Sequence, residues 1–308
     1  MGGTIKDISI VVPVFNAAPA LIALQAEIDK VMALEGITYK LILVDDGSED
    51  KSWEVIRAIK NNHPEKVTAI RMSKNYGQHN AIFVGFRNAK SNYIITIDDD
   101  LQHPPDEIPR LIKCAEETDA DLVYGISGAY KRSLLRKFLR WGFRLLNRMT
   151  ADDKEGSAFR IIKKGLVDKL VTHDQEFVFI DELANWYTEK IEYIKVRHDK
   201  SHVDKSRYPF SRLSKLYYNL VFGYNAFLLR LITFLGCTSS AISILIGVFF
   251  IIKKIFFHVQ VGFTGIVVSI TFTGGVILLS IGIIGEYMRR MYNIMNAKPQ
   301  SSVSEILE

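Results

Sequence analysis

Short apolar runs alternate with longer amphipathic stretches over residues 8–126. The runs have the composition of strands and read ISIVVPVF, YKLILVDD, KVTAIRM, NYIITID and DLVYGI. Helical patterns lie between them, for example at Ala20–Leu34 and Ser52–Asn61. Apolar runs of this length, separated by helices, are typical of βαβ units and a parallel sheet. The pattern therefore predicts an α/β fold with a mostly parallel sheet.

Long uncharged segments replace this pattern toward the C-terminus. Leu231–Ile252 is 22 residues without a charge, and Ile255–Gly285 is 31. A helix of 22 residues is about 33 Å long, enough to cross the hydrocarbon core of a membrane. The link KKIFFHVQ is short, so we expect a two-helix transmembrane hairpin. Two buried core helices are the alternative, but such uncharged lengths are rare in soluble domains.

Lysine and arginine are unevenly distributed around this hairpin. Six flank it and two lie in the link, namely Arg212, Lys215, Arg230, Arg289, Arg290 and Lys298 against Lys253 and Lys254. This bias predicts a multi-pass protein of the cytoplasmic membrane with its main domain and both termini in the cytoplasm. The expected organisation is a cytosolic domain over 1–210, a juxtamembrane amphipathic helix over 211–230, two transmembrane helices over 231–287 and a cytoplasmic tail over 288–308.

Composition and missing motifs narrow the choice of function. The net charge is +5, and the two cysteines are far apart, which argues against a disulfide framework and fits a reducing cytosol. No G-x-G-x-x-G follows the first strand and no G-x-x-x-x-G-K-[ST] occurs anywhere. Dinucleotide redox chemistry and P-loop hydrolysis are therefore disfavoured.

Polar clusters follow the apolar runs, where open α/β sheets bind their ligands. After the fourth run the sequence reads IDDDLQ. Asp98 and Asp100 are two apart in an extended segment, so they should project the same way, and Gln102 adds a neutral oxygen. This set suits Mg²⁺ or Mn²⁺ holding a diphosphate. The alternative is a solvated Asp-rich turn that caps the next helix.

The segment Lys131–Met149 is basic and amphipathic. It holds seven basic residues and no acid, and arginine recurs every four residues from Arg132 to Arg148. A basic helix rich in Leu, Phe and Trp is typical of a membrane interface, so membrane lipid is an expected partner. A surface helix packed on the sheet is the alternative. Nucleic acid is not expected as a partner, because the hairpin already places this domain beside lipid.

Four motifs occur in a specific order: VVPVFN, LVDDGS, SKNYGQHNAIFVGFRNA and TIDDDLQHPPDEI. Together they resemble the family-2 glycosyltransferases of the GT-A fold. With the C-terminal hairpin, the chain resembles the polyisoprenyl-phosphate hexose transferases over almost its whole length. The resemblance implies a nucleotide-sugar donor and a polyprenyl phosphate acceptor, with undecaprenyl phosphate expected.

For the donor, the resemblance implies specific residues at the strand ends. The metal ligands would be Asp98, Asp100 and Gln102, and the other donor-binding residues would be Pro13, Phe15, Asp45, Asp46 and Asp99, with Asp98 shared. Ala17 stands where the family usually has an acidic residue, which leaves the nucleotide base open, although UDP is the commoner bacterial donor.

For the acceptor, the resemblance points to three segments. Arg132 and Arg136 would bind the lipid phosphate, and Ser157 joins them because EGSAFRI is similar to the family's S-G-F-R, with Ala158 in place of glycine.

The third segment lies just before the hairpin and resembles H-x-x-R-x-x-G-x-S-x-Y, with His198, Ser206 and Tyr208 matching and Ser201 and Asp204 departing. We expect His198 and Ser206 at the lipid phosphate. Lys205 and Arg207 would supply positive charge near the diphosphate. A plain basic loop attracted to anionic lipid is the alternative.

Asp181 and Glu182 lie in FVFIDEL, where many family-2 enzymes place a catalytic acidic pair. A lipid phosphate is already an anion and needs positioning and charge screening rather than a base. Asp181 is therefore expected to have a structural or substrate-orienting role, with general base as the alternative.

Three functions remain open. The favoured one is inverting transfer of a hexose from a nucleotide sugar to polyprenyl phosphate, with Asp100, Arg132, Arg136, Ser157 and Asp181 in the reaction centre. The second is transfer to a hydroxyl acceptor, with Asp181 as base. The third is a non-catalytic membrane adaptor, which the intact Asp98, Asp100 and Gln102 disfavour. A homo-oligomer is left open.

Overall fold

The computed structural model describes residues 5–127, 156–173, 179–199, 262–295 and 299–308, with a few single positions between 236 and 256. The chain divides into two compact units. One comprises Met1–Lys137, Asp152–Tyr208 and Lys298–Glu308, and the other comprises Phe138–Ala151 and Pro209–Ala297. The chain thus enters the second unit twice and returns to the first unit after each passage.

The described part of the first unit alternates strands and helices. Its elements are β1 (Asp7–Val14), α1 (Ala18–Glu35), β2 (Thr38–Asp45), α2 (Ser52–Asn62), β3 (Val67–Met72), α3 (Gln78–Asn88), β4 (Tyr93–Thr96), α4 (Ile108–Thr118), β5 (Leu122–Ser127), β6 (Arg160–Lys163), α5 (Lys164–Leu170), α6 (Ile180–Tyr187), β7 (Ile191–Val196) and, after the second unit, β8 (Val303–Leu307). A 3₁₀ turn at Pro105–Glu107 precedes α4.

The eight strands form one sheet in the order β7-β5-β6-β4-β1-β2-β3-β8. Strands β4, β1, β2 and β3 are parallel neighbours, and β5 and β7 also pair in parallel. Strand β6 runs antiparallel between β4 and β5, and β8 runs antiparallel to β3. The predicted α/β class with a mostly parallel sheet is confirmed.

Helices cover both faces of the central strands, which explains why β1 is buried and mostly apolar from Ile8 to Val14. Ile10 and Val12 of β1 belong to a buried cluster with Leu24 of α1. On the opposite face, Val11 contacts α3 at Gly85, where an added Cβ would lie 2.3 Å from its Cγ1. The absent side chain at Gly85 therefore lets α3 pack directly on β1.

The segment after the second unit supplies the edge strand β8. The Ser73 amide donates to the Ser302 carbonyl at 2.8 Å, and the Ser304 hydroxyl donates to the Arg71 carbonyl at 3.1 Å. Arg87 donates to the Gln300 side chain at 3.0 Å, and Gln300 is buried. The sequence pattern did not predict this strand, because VSEIL is short and pairs with β3 across more than 200 residues.

The second unit contains α7 (Phe263–Met295), a helix of 33 residues. The segment Phe272–Arg289 of this helix has a mean hydropathy of 1.2, and none of its residues is buried. Helix α7 is therefore long and apolar enough to cross a membrane. No other helix in the described ranges meets that test. The expected first membrane helix is described only at single positions. The basic segment 131–149 and the juxtamembrane helix 211–230 lie outside the described residues.

Candidate active site

Loops after β1, β2, β3 and β4 meet at the carboxyl edge of the sheet. The Asn16 amide donates to Ser48 Oγ at 3.0 Å, which joins the first loop to the second. The Phe15 amide donates to Asp99 Oδ2 at 3.0 Å, which joins the first loop to the fourth. Pro13 lies at the end of β1 beside this junction. Loops that are far apart in sequence are therefore brought together at this edge.

The two aspartates after β2 have different surroundings. Asp45 is fully buried, and burial raises its pKa although Arg71 lies 3.5 Å from Oδ2. Asp46 accepts the amides of Tyr76 and Gly77 at 2.7 and 2.8 Å. Burial raises the pKa of Asp46 to about 6, although the hydrogen bonds from those two amides lower it. Asp46 therefore holds the loop after β3 in place beside the loop after β2.

The three consecutive aspartates after β4 point to different partners. Asp98 Oδ1 accepts the Gln78 side-chain amide at 2.5 Å, and Asp99 turns toward β1 as described. Asp100 Oδ1 accepts the Gln102 amide at 3.1 Å across a turn in which Leu101 has φ +58°. The 3₁₀ turn and α4 begin with no side-chain cap. The alternative that the triplet caps the next helix is therefore wrong.

The chemistry of the predicted metal ligands fits a hard cation. Asp98, Asp100 and Gln102 offer two carboxylates and one neutral oxygen within a five-residue turn. Mg²⁺ is commonly bound through one or two carboxylates completed by substrate phosphates, so this set suffices only with a diphosphate present. In the described ranges no group of three or more His, Cys, Asp or Glu side chains is placed to bind a metal without substrate.

The segment after β7 packs on this turn. The Asp199 amide donates to the Gln102 carbonyl at 2.9 Å. The His198 ring lies 4.9 Å, centroid to centroid, from His103, which stacks on Phe159 at 5.3 Å. Burial, helped by His198, lowers the pKa of His103 to about 4. The structure thus places His198 next to the predicted metal site. No motif or spacing in the sequence singles out His103 or Phe159.

Ser157 precedes β6 near the same loops, beside a buried charge cluster. Its Oγ accepts the Phe159 amide at 3.2 Å. Arg160, 1% exposed, donates to Asp181, and the Tyr124 hydroxyl donates to the same Asp181 oxygen at 2.7 Å. Sequence reasoning missed Arg160 and Tyr124. Arg160 is the arginine of the S-G-F-R-like motif, so the motif was the sequence signal from which this residue could have been selected.

Five predicted residues cannot be placed in this geometry. Those outside the described ranges are Arg132, Arg136, Lys205, Ser206 and Arg207. Their assignment stays a prediction from the family resemblance.

Replacing His79 with Phe should weaken the dependence of stability on pH. Burial lowers the pKa of His79 to about 4, and its ring packs at an angle of 57° against Phe179, with the ring centroids 4.9 Å apart. Between pH 6.5 and 4 the unfolded chain therefore binds this proton and the folded chain does not, so stability falls as pH falls. The substitution keeps an aromatic ring and should remove about 2 kcal/mol of that fall.

The measurement for His79 is urea unfolding in detergent at several pH values. Above pH 7.5 His79 is uncharged in both the folded and the unfolded chain. Stabilities measured there therefore serve as the reference for the change at lower pH. An unchanged slope between pH 6.5 and 4 would contradict the prediction. His103 shifts in the same direction, so part of the slope remains in the variant.

Two solved structures align with part of this chain. Glucosyl-3-phosphoglycerate synthase from Mycobacterium tuberculosis aligns with a TM-score of 0.49 and 17% identity, covering 70% of this chain and 78% of that one. A mannosyltransferase from Pyrobaculum calidifontis aligns with a TM-score of 0.46 and 17% identity, covering 65% and 58%.

The sequence matches are more extensive. Residues 9–174, more than half of the chain, match the family described as Glycosyl transferase family 2. Undecaprenyl-phosphate 4-deoxy-4-formamido-L-arabinose transferase of Yersinia pestis (strain Pestoides F) is 33% identical over 98% of this chain and 94% of its own. The protein of that name from Klebsiella pneumoniae (strain 342) is 31% identical with the same coverage. The chain therefore belongs to glycosyl transferase family 2 and is a glycosyltransferase.

Proposed function

We propose that this enzyme transfers a hexose from a nucleotide sugar, with UDP the favoured nucleotide, to polyprenyl phosphate. The observation that carries the proposal is the junction at the sheet edge, where the turn holding Asp98, Asp100 and Gln102 meets the segment holding His198. The names of relatives that align over nearly the full chain give undecaprenyl phosphate as their substrate, which supports this acceptor.

The proposed donor site is the set of loops after β1, β2 and β4. Asp98, Asp100 and Gln102 would hold Mg²⁺ or Mn²⁺, and the ion would neutralise the departing diphosphate. Pro13, Phe15, Asp45, Asp46 and Asp99 would form or support the nucleoside pocket, since their loops are hydrogen-bonded to one another. Lys205 and Arg207 would add positive charge near the diphosphate.

The proposed acceptor site adjoins the turn that holds Asp98, Asp100 and Gln102. Ser157 and His198 belong to segments that pack through Phe159 and His103 onto that turn. Arg132, Arg136 and Ser206 would complete a set of donors for the lipid phosphate. Attack by that phosphate on the anomeric carbon in a single displacement would invert its configuration.

This acceptor needs no general base, and the surroundings of Asp181 agree with that. One Asp181 oxygen accepts hydrogen bonds from both Arg160 and Tyr124. A carboxylate engaged in this way is suited to holding structure. A hydroxyl acceptor would require Asp181 to take up a proton instead.

Strand β8 supports the proposed membrane topology. A folded sheet lies on one side of a membrane, and β8 joins the sheet of the first unit after the apolar region. In the proposed topology the chain would then cross the membrane an even number of times. Helix α7 would supply one crossing and Leu231–Ile252 the other. The excess of Lys and Arg outside the link would put the sheet in the cytoplasm.

The test uses the full chain in detergent with Mn²⁺, undecaprenyl phosphate and labelled nucleotide sugars. The panel contains UDP-hexoses and a nucleotide-linked 4-deoxy-4-formamido-L-arabinose, because the relatives' names carry that pentose. Label moving from a UDP-hexose into an organic-extractable, alkali-stable and acid-labile product would support the proposal and identify the sugar. Label from the pentose donor alone would support the lipid acceptor and overturn the hexose. Metal-dependent donor binding without any lipid product would favour a hydroxyl acceptor with Asp181 as base.

A further inference from the structure

Arg160 is a buried cation inside the sheet. It begins β6, between β4 and β5, and is 1% exposed. Burial alone would lower its pKa, but Asp181 and Tyr124 raise it, so Arg160 keeps its charge. A buried charge is costly unless it is paired and hydrogen-bonded. The contacts that satisfy Arg160 are therefore expected to be fixed in position.

The partners of Arg160 lie on three different elements. Its Nη1 donates to Asp181 Oδ1 on α6, and its Nε donates to Thr96 Oγ1 on β4 at 3.1 Å. The guanidinium also lies 5.7 Å from the centre of the Tyr124 ring. Tyr124 in turn donates to Asp181. Arg160 thus joins β4, β5 and α6 through one side chain.

Two of these partners also hold the turn Gly156–Ala158, at its two ends. The Thr96 hydroxyl donates to the Ala158 carbonyl. At the other end, a Cβ added to Gly156 would lie 2.3 Å from both Cγ and Oδ2 of Asp181, so the Gly156 backbone is packed directly on that carboxylate. Ser157 is the residue between these two contacts.

We propose that Arg160 is a positioning residue for the acceptor: through Thr96 and Asp181 it fixes both ends of the Gly156–Ala158 turn and so holds Ser157 where it binds the lipid phosphate. The role rests on the proposed function. It assigns Thr96 and Asp181 to orientation of the acceptor, without contact between Arg160 and either substrate.

The first test removes one end of this arrangement while keeping the charge pair. Thr96→Val keeps the shape of the side chain and deletes both of its hydrogen bonds. The matched control is Thr68→Val, the same change at another buried threonine of the sheet. We expect Thr96→Val to raise the KM for undecaprenyl phosphate about three- to tenfold, with kcat and the donor KM within about twofold of wild type.

The second test disturbs the other end. Gly156→Ala forces a Cβ against Asp181, whereas Gly165→Ala adds a Cβ where no atom lies within 4 Å. We expect Gly156→Ala to raise the KM for undecaprenyl phosphate at least about tenfold, a size seen when a positioning group is misplaced. Gly165→Ala should leave both KM values unchanged. Thermal melting of all four variants checks that each is folded.

The outcomes separate this inference from the proposed function. If the wild-type enzyme makes no lipid product, both the proposed function and the positioning role of Arg160 are overturned. If wild type makes it but Thr96→Val and Gly156→Ala keep the wild-type KM for the lipid, only the positioning role is overturned. Equal increases in the donor KM and the lipid KM would also overturn it, because the effect would then be a general loss of structure.

Discussion

Asp100→Asn is expected to lower kcat by about a hundred- to a thousandfold, the loss found when one electrostatic group of a reaction centre is removed. The substitution keeps the size of the side chain and its oxygen that accepts the Gln102 amide. It removes one of two negative charges available to the cation. The metal would then be held less tightly where the diphosphate departs.

The measurement for Asp100 is lipid-product formation as a function of Mn²⁺ concentration. Asp168→Asn is the control, since Asp168 is 58% exposed and pairs with Lys164 on α5. The control should keep wild-type kcat and wild-type metal dependence. A kcat for Asp100→Asn within threefold of wild type at saturating Mn²⁺ would contradict the assignment of Asp100 as a metal ligand.

Gly47→Ala is expected to lower the free energy of unfolding by about 3 kcal/mol or more and to abolish tight donor binding. Gly47 has φ +68°, and an added Cβ would lie 2.6 Å from the Lys74 carbonyl carbon and 2.7 Å from the Asn75 amide nitrogen. These are backbone atoms, which cannot move aside cheaply. The loops after β2 and β3 would have to separate, and with them the contacts of Asp46.

Gly36→Ala provides the matched control for Gly47. Gly36 ends α1 with nearly the same φ, +65°, but no atom lies within 4 Å of an added Cβ. Its cost should be about 1 kcal/mol, from the left-handed conformation alone. Urea unfolding in detergent and binding of labelled donor compare the two variants. Equal losses would show that contact with the loop after β3 is unimportant.

The parallel strands could be predicted from sequence because they are buried on both faces. In β1, every residue from Ile8 to Val14 is buried and all but Ser9 are apolar, so the strand stands out as an apolar run. The antiparallel strands β6 and β8 could not be predicted in the same way. Each has only four or five residues, and their partners β4 and β3 are distant in sequence. The local pattern of apolar and polar residues therefore does not predict the pairing.

Some residues of the candidate site could likewise be predicted from the sequence, and others could not. Asp98, Asp100 and Gln102 could be selected because they directly follow a strand, where ligands bind in this class of fold. Arg160 could not be selected that way, since it lies inside the sheet and acts through Asp181, 21 residues later. The contact between His103 and His198 also depends on tertiary packing across 95 residues of chain, which local spacing does not encode.

Because β8 follows the apolar region in the chain, the sheet of the first unit can be completed only after that region has been synthesised. While the ribosome synthesises the 230 residues between Met72 and Val303, β3 is left as an open edge with unpaired amide and carbonyl groups. During that interval the apolar region emerges and becomes available for insertion. Closure of the sheet therefore follows synthesis of the apolar region, and a chain that stalls in α7 would present an exposed edge that favours aggregation.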